Sequence, residues 1–329
     1  MGRLSFLAKG FAFLAMALAA WPSQAADETN YPSRPIRIIV AFPPGGGPDP
    51  LARIVASGLE QRLGAPVIVE NMPGGSGALA ARAVVRSGPD GYTLLFADMT
   101  FVSSPHVTTS FGVNPLKDFE AVGWAATSPF ALIVSAAIPA SNLHDFIALA
   151  QAHPESVLLG HAGIGTTPHL AAAAFLNAAN IKPQLIGYKG VAEAMTNTMS
   201  GIISGFFTAG PAAIGASKND KLRVLAVTGD KRMVQMPNVP TFSESGITLR
   251  GFESGAWFGL MAAAGTPSGI VKKINAALND ISGDKSLMAK FHAIGADFKP
   301  GTPKEFHDKL VAQYELWGET LKKLGVEPQ

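Results

Sequence analysis

The sequence predicts an α/β protein of two lobes, each a mostly parallel sheet flanked by helices, and three observations carry that prediction. Residues 36–42 form a short apolar run rich in β-branched side chains, suited to a buried strand. The run breaks at Pro43-Pro44 and passes through Gly45, Gly46 and Gly47. After Asp49 it gives way to a helical pattern in which Leu51, Ile54, Val55, Leu59 and Leu63 recur at spacings of three and four. Two further units of this kind follow at once, which argues for parallel strands covered by helices. The same strand–glycine–helix design then returns at residues 157–179.

The remaining elements follow in order. Residues 1–25 read as a secretory signal peptide: Arg3 and Lys9 make a basic start, residues 11–21 are uninterruptedly apolar, and Ser23-Gln24-Ala25 offers a small-x-small cleavage site. The apolar run is shorter than the ~20 residues that span a bilayer. Residues 66–70 read as a second strand, followed by Gly74, Gly75 and Gly77 and an alanine-rich helix over 78–86. A third strand over 92–97 ends at Asp98-Met99-Thr100, and residues 101–119 read as irregular. Residues 121–138 hold two apolar runs split at Ser128-Pro129, as if a strand crosses out of the first lobe.

A helix over 143–152 has Ser141 or Asn142 as its cap, and a strand over 157–160 leads to Ala162, Gly163, Gly165, Thr166, Thr167 and a helix from His169 onward. A strand ending at Tyr188, a helix over 191–199, and strands over 203–208 and 224–228 complete the second lobe. Residues 256–262 read as a strand returning to the first lobe. Two amphipathic helices end the chain, the second placing Phe306, Leu310, Tyr314, Trp317 and Leu321 on one face. The expected boundaries are 26–127 plus 249–329 for the first lobe and 128–248 for the second.

Composition narrows the function. Two of the 26 basic residues and none of the 24 acidic ones lie in residues 1–25, so the remainder is formally neutral, which does not favour nucleic acid. The chain has no cysteine, which excludes disulfides, thiolate metal sites and cysteine nucleophiles. Ser76 sits in GGSGA and misses the nucleophile-elbow pattern, and the seven histidines make no metal-binding pair at helical spacing. Gly75-x-Gly77-x-x-Ala80 with Asp98 further on resembles a dinucleotide fingerprint, but its loop is too long, it lies in the second unit, and an exported protein meets little soluble nicotinamide cofactor. No cofactor and no catalytic residue are expected.

In parallel sheets of this type ligands sit beyond the carboxyl ends of the strands. Those ends are Phe42 to Asp49, the glycine cluster after Asn71, and Asp98 to Thr100. Glycine N–H groups and a helix N-terminus together suit an anion; a bare βα turn is the alternative. Asp49 either meets a ligand or caps a helix beginning at Pro50, the capping role being the one expected. His169 either meets a ligand or orders its own loop, Phe42 either covers a ligand or plugs the loop base, and Lys189 either pairs with an anion or faces solvent.

At this point the chain carries a resemblance over essentially its whole exported length. YPSRPIRIIVAFPPGGGPD, PVIVENMPGGSG, GPDGYTLLFA, GIGTTPHLA, GYKG, LAVTGDKR, MPNVPTFSESG and WFGLMAAAGTP, in that order, resemble the Bug-type receptors of tripartite tricarboxylate transporters. The resemblance implies a type II periplasmic-binding-protein (Venus flytrap) fold without catalytic activity. It implies a monomer that captures a small mono- or dicarboxylate, aliphatic or aromatic, and delivers it to integral membrane subunits. The site it implies lies between two loops, Phe42, Pro44, Gly45, Gly46, Gly47 and Asp49 in one lobe and Ala162, Gly163, Gly165, Thr166, Thr167 and His169 in the other. Asp98, Met99, Thr100, Tyr188 and Thr208 complete the expected set.

Two departures matter. Pro48 stands where relatives commonly have threonine, and Thr208 where many have aspartate, so a ligand without an ammonium group is expected. A periplasmic sensor that presents its closed form to a signalling partner is a second reading, and a secreted hydrolase a third. Gly46→Val is expected to crowd the first loop and restrict its φ.

Overall fold

The computed structural model of the 329-residue chain describes residues 28–323, 326 and 328. The expected signal peptide lies outside the described residues. The chain divides into two compact units at Tyr31/Pro32; only residues 28–31 of the first are described, and everything below concerns the second.

Two sheets organise that unit. The first holds β1 (Ile36–Val40), β2 (Val67–Asn71), β3 (Thr93–Asp98), β4 (Phe119–Ser128), β10 (Ala256–Ala263) and β11 (Asp297–Phe298), in the order β11-β4-β10-β3-β1-β2. The second holds β5 (Phe130–Ser135), β6 (Leu158–His161), β7 (Gln184–Gly187), β8 (Gly205–Ala209) and β9 (Leu222–Val227), in the order β7-β6-β8-β5-β9. The helices are α1 (Pro48–Leu63), α2 (Ala78–Arg86), α3 (Met99–Ser103), α4 (Leu143–Ala152), α5 (Thr167–Ala179), α6 (Val191–Met199), α7 (Gly210–Ala216), α8 (Ser268–Asp280), α9 (Lys285–Ala293) and α10 (Pro303–Lys323).

The two sheets repeat one plan. In each, the second, first and third strands of a βα series lie side by side and parallel. An antiparallel strand then separates the third from the fourth: β10 between β3 and β4, β5 between β8 and β9. That inserted strand comes from the chain's passage between lobes. β4 ends at Ser128 in one sheet and β5 begins at Phe130 in the other, so Pro129, which has no N–H to give a ladder, stands at the crossing. This is the type II flytrap topology, and its consequence is that both sheets aim the carboxyl ends of their parallel strands at one cleft.

Packing follows from the apolar patterns. In the first lobe, α10 buries Phe306, Leu310, Trp317 and Leu321. The Trp317 ring meets Phe252 edge-on at 5.7 Å, Phe306 meets Trp257 at 5.5 Å, and Trp317 Nε1 donates to the buried Gln313 at 2.9 Å. Tyr314, expected on this face, flanks it half-buried against His106. In the second lobe Phe206 and Phe207 point to opposite faces of β8, as strand alternation requires. Phe206 enters an aliphatic cluster with Ile133 and Ile203, and Phe207 an aromatic one with Phe175 and Phe242.

Several expectations are corrected. Helix α1 begins at Pro48 with Gly47 as its cap residue, so Asp49 lies inside the first turn and does not cap a helix at Pro50. Helix α5 begins at Thr167, two residues before His169. The stretch after Asp98 opens with α3 and two 3₁₀ turns before its irregular part. A short helix, α9, stands between the two expected C-terminal helices, its start fixed by Asp284, whose Oδ1 accepts the N–H groups of Ser286 and Leu287.

Gly259 in β10 is the seat of the Phe306 ring: a Cβ there would lie 2.2 Å from Phe306 Cζ and 2.8 Å from the Gly123 carbonyl. Gly259→Ala should therefore destabilise the protein by about 1–3 kcal/mol. Gly215→Ala, with nothing within 4 Å, should stay within about 1 kcal/mol of the parent. Chemical denaturation of the two variants checks both.

Candidate functional site

A cleft of about 240 Å³ opens between the carboxyl ends of the two sheets. It is lined by Phe42 to Pro48 and Asp98 from the first lobe, with Phe258 behind them. From the second lobe come Phe130, Ala162, Thr167, Pro168, Thr208, Ala209 and Ala212, and the start of α6 from Gly190 to Ala192 with Met195. Four helices of the protein, α1, α5, α6 and α7, begin at its wall, and their N-termini give it a positive potential. Among the described residues its lining holds no lysine, arginine or histidine.

The first loop is held from behind. Asp49 Oδ2 accepts the Gly45 N–H at 3.0 Å, and Asn71 on β2 donates from Nδ2 to Asp49 Oδ1 at 2.9 Å and to the Phe42 carbonyl at 3.0 Å. Arg53, one turn along α1, completes the set at 3.0 Å. Burial pushes the Asp49 carboxyl up, but the bonds from Arg53, Gly45 and Asn71 outweigh it and hold the group below its ordinary value. Gly46 N–H bonds the Pro43 carbonyl at 3.1 Å. Since Pro43, Pro44 and Pro48 have no N–H, Gly47 carries the one amide of residues 43–48 without an acceptor among the described residues. The positive φ falls at Gly45 (76°) and not at Gly46, where the tight neighbour of a Cβ is the Pro43 carbonyl at 3.0 Å. Gly46→Val would thus crowd the loop without the φ penalty expected of it.

The second loop is fastened by two histidines. His161 Nδ1 accepts the Gly163 N–H and His169 Nδ1 the Gly165 N–H, each at 3.2 Å, with the two rings 4.7 Å apart. Burial pushes both imidazoles below their ordinary value, and the neighbouring His161 adds to this for His169, which falls to about 4. Both are therefore neutral at pH 7, with the proton on Nε2. Thr166 holds the cap position of α5, yet its hydroxyl donates to the Gly163 carbonyl at 2.6 Å.

The loop is also docked on the first lobe. Ser103 Oγ donates to the Gly165 carbonyl at 2.5 Å and Ser76 Oγ to the Ile164 carbonyl at 3.1 Å. Gly165 has φ 77°, and a Cβ there would lie 2.5 Å from Val107 Cγ2, so conformation and space both require glycine.

Asp98 sits at the centre of this contact. Its Oδ1 accepts the Thr100 N–H, and its Oδ2 accepts both the Thr100 hydroxyl (3.1 Å) and the Thr167 hydroxyl (3.0 Å). Thr100 Oγ1 in turn accepts the Thr167 N–H at 3.0 Å. Burial pushes the carboxyl up to about 6, against the lowering effect of the threonine bonds. Thr208 is also buried, at 1% exposure, but its hydroxyl has no protein partner and faces the cleft.

Of the expected site residues, the structure brings Phe42, Pro44, Gly45, Gly46, Gly47, Asp98, Ala162, Thr167 and Thr208 to the cleft wall. Asp49, Gly163, Gly165, Thr166 and His169 instead brace the loops, and Thr100 stands behind Asp98. Met99 is fully buried, and Tyr188 packs into the second-lobe core. Sequence reasoning missed Gly190 to Ala192 and Met195, although the rule that ligands meet helix starts beyond strand ends covers Gly190 after β7 as well as it covers Gly47.

Asp98 binds its proton more tightly in the folded than in the unfolded chain. Its contribution is thus most favourable below its ordinary value of 3.8 and is lost as pH rises toward about 6. At neutral pH the buried charge costs about 3 kcal/mol. Asp98→Asn should remove this fall: the difference in unfolding free energy between parent and variant should change by that amount across pH 4–6. A difference that stays flat over this range would show that Asp98 does not titrate there.

Comparison with known proteins agrees with this architecture. The family model described as the tripartite tricarboxylate transporter family receptor matches residues 51–326. Protein BugT of Bordetella pertussis is 30% identical over 321 residues, which span 96% of this chain and 96% of BugT. The solved periplasmic binding protein BugD is 30% identical with a TM-score of 0.83, over 91% of this chain and 100% of its own. Rpa4515 of R. palustris, solved with adipate, is 29% identical with a TM-score of 0.84 over 91% of this chain and 100% of its own. The chain therefore belongs to the receptors of the tripartite tricarboxylate transporter family, the Bug-type solute-binding proteins, and is a binding protein and not an enzyme.

Proposed function

We propose that this protein is exported to the periplasm, captures a small carboxylate in the cleft between its lobes, and passes it to the integral membrane subunits of a tripartite transporter. In this reading residues 1–25 are the removed signal peptide, and the lobes divide at 127/128 and 248/249.

The observation that carries the proposal is the set of unpaired donors at the cleft wall. Gly47, Gly190, Val191, Ala192 and Ala212 line the cleft, and their N–H groups have no acceptor among the described residues. Each lies at the start of a helix, where the orphan amides and the helix dipole favour an anion. A carboxylate bound there replaces water by charge-assisted bonds of roughly 1.5–3 kcal/mol each. The absence of a cationic side chain among the described lining residues leaves recognition to the backbone, and an ordered backbone carries no rotamer entropy to lose on binding. Because Gly47 belongs to one lobe and Gly190, Val191, Ala192 and Ala212 to the second, a bound carboxylate ties the lobes together. That is the change a membrane partner can read.

A thermal-shift screen of the exported form against mono- and dicarboxylates, with amino acids as controls, tests the reading. A ligand at a hundred times its dissociation constant should add about 2.7 kcal/mol of stability, and carboxylates should supply the hits. Hits confined to amino acids or neutral sugars would refute it. A second test uses Gly47, where a Cβ would lie 3.2 Å from Ala209 Cβ on the opposite lobe. Gly47→Val should wedge the lobes and lower carboxylate affinity by about tenfold or more, the loss of at least one charge-assisted bond. Its unliganded melting temperature should stay close to the parent's.

A further inference from the structure

Resting on the receptor reading, we infer that Asp98 takes part in recognition as the neutral acid. It donates its proton to the ligand carboxylate, so each capture takes up one proton from solvent.

Asp98 is both a wall of the cleft and a joint between the lobes. It ends β3, lines the cavity at 6% exposure, and is held by Thr100 of the first lobe and Thr167 of the second. Its surroundings are apolar: Phe258 stands opposite it on β10, and Phe42 and Phe130 line the same cleft. A cavity of about 240 Å³ has the span of one small molecule, so a carboxylate held in it feels this group. No lysine, arginine or histidine stands among the described lining residues to separate the two charges. Two carboxyl groups in such a site do not both ionise; they share one proton. Burial pushes Asp98 up to about 6, whereas an ordinary carboxyl titrates near ~4. Asp98 is thus the weaker acid and keeps the proton. Its O–H then gives the ligand a short, charge-assisted bond. A carboxyl in an apolar site can stay neutral above pH ~9 while donating such a bond.

The other titratable groups around Asp98 are engaged elsewhere. Of the elements packed on β3, β10 and α3 carry none. On α1, Asp49 pairs with Arg53, Arg62 with Asp280, and Glu60 accepts the Val67 N–H. Arg37 of β1 pairs with Glu70, Arg82 of α2 bonds the Ser110 carbonyl, and Arg86 lies in the last turn of that helix. His106, beyond α3, packs on Tyr314. At α5, His161 and His169 accept loop N–H groups and are neutral at pH 7. Across the cleft Lys189 and Glu193 are exposed.

The sign of the pH dependence follows. A group that binds its proton more tightly in the complex makes affinity greatest below its value in the free protein, and affinity is lost as pH rises above it. Isothermal titration of the exported protein with adipate, malate and benzoate, in buffers of different ionisation enthalpy at pH 7.5, tests this. These probes are fully ionised there, so a proton taken up belongs to the protein. The tightest binder should take up close to one proton per molecule, and its affinity should fall about tenfold from pH 7 to pH 8. Asp98→Asn keeps a donor in place at every pH. It should abolish the uptake, flatten the pH profile, and bind tighter than the parent at pH 8. A variant that keeps the parent's slope would place the proton elsewhere and overturn the inference. The parent alone also decides: binding with no uptake and a flat profile overturns the inference and leaves the receptor reading standing. If none of the three probes binds between pH 5 and pH 8, both fail.

Discussion

The buried carboxyl of Asp98 is the constraint to which the rest of the site conforms. It ends β3, and the two threonines that satisfy it belong to different lobes, Thr100 to the first and Thr167 to the second. An unpaired charge at this depth costs several kcal/mol, so the hydroxyl of Thr167 is needed where it stands. That fixes the start of α5 against the first lobe. The Ser103–Gly165 and Ser76–Ile164 bonds then hold the loop before it. Parting the lobes at this seam exposes Asp98 to water and breaks all three links together. Cleft geometry and the protonation of Asp98 are therefore coupled: an anion bound beside the carboxyl favours its neutral form, and the neutral form is the one that burial already favours.

The two loops show how a backbone site is held by side chains behind it. Asp49 and Asn71 hold the first loop from below, and His161 and His169 hold the second. In each case the glycine amides expected to face a ligand are turned inward to these side chains. What they secure is the position of the next residue, Gly47 or Thr167, at the start of a helix. The amides that remain free belong to helix starts, whose direction is set by the packing of a whole helix and hence is far less mobile than a loop. Neutral histidines suit this task because Nδ1 must accept. Burial favours it by holding both imidazoles below their ordinary value.

Much of the fold was legible because local signals and tertiary packing agree. Helices α2, α4 and α6 fall on the residues expected of them, α4 beginning after the Asn142 cap whose side chain accepts from Asp145. The crossing at Ser128-Pro129 and the return through β10 were visible as a proline between apolar runs and an apolar run after a loop. Helix α9 escaped notice because it buries only Leu287 and Phe291, too few apolar positions to show a period. The site was half legible. Strand ends located it, but which amide of a glycine run faces the cleft depends on Asn71, which is 24 residues away from Gly47 and belongs to the neighbouring strand β2. Tyr188 was placed by its strand end alone, and the space left by Gly160 turns its ring into the core.

One consequence of the type II plan joins these points. The two sheets are joined by two crossings, the single residue Pro129 between β4 and β5 and residues 228–255 between β9 and β10. Ser128 ties one of them: its Oγ donates to the Gly295 carbonyl of the first lobe at 3.0 Å and accepts the Gly210 N–H of the second at 3.2 Å. Gly210 begins α7, the helix that follows Thr208 and Ala209 at the cleft wall. The crossing, the start of α7 and the free hydroxyl of Thr208 thus form one continuous piece of structure. In the proposed reading a ligand held between Gly47 and Thr208 would pull on the crossing itself. The position of Thr208 relative to Ser128 is in this way a mechanical matter as much as one of recognition.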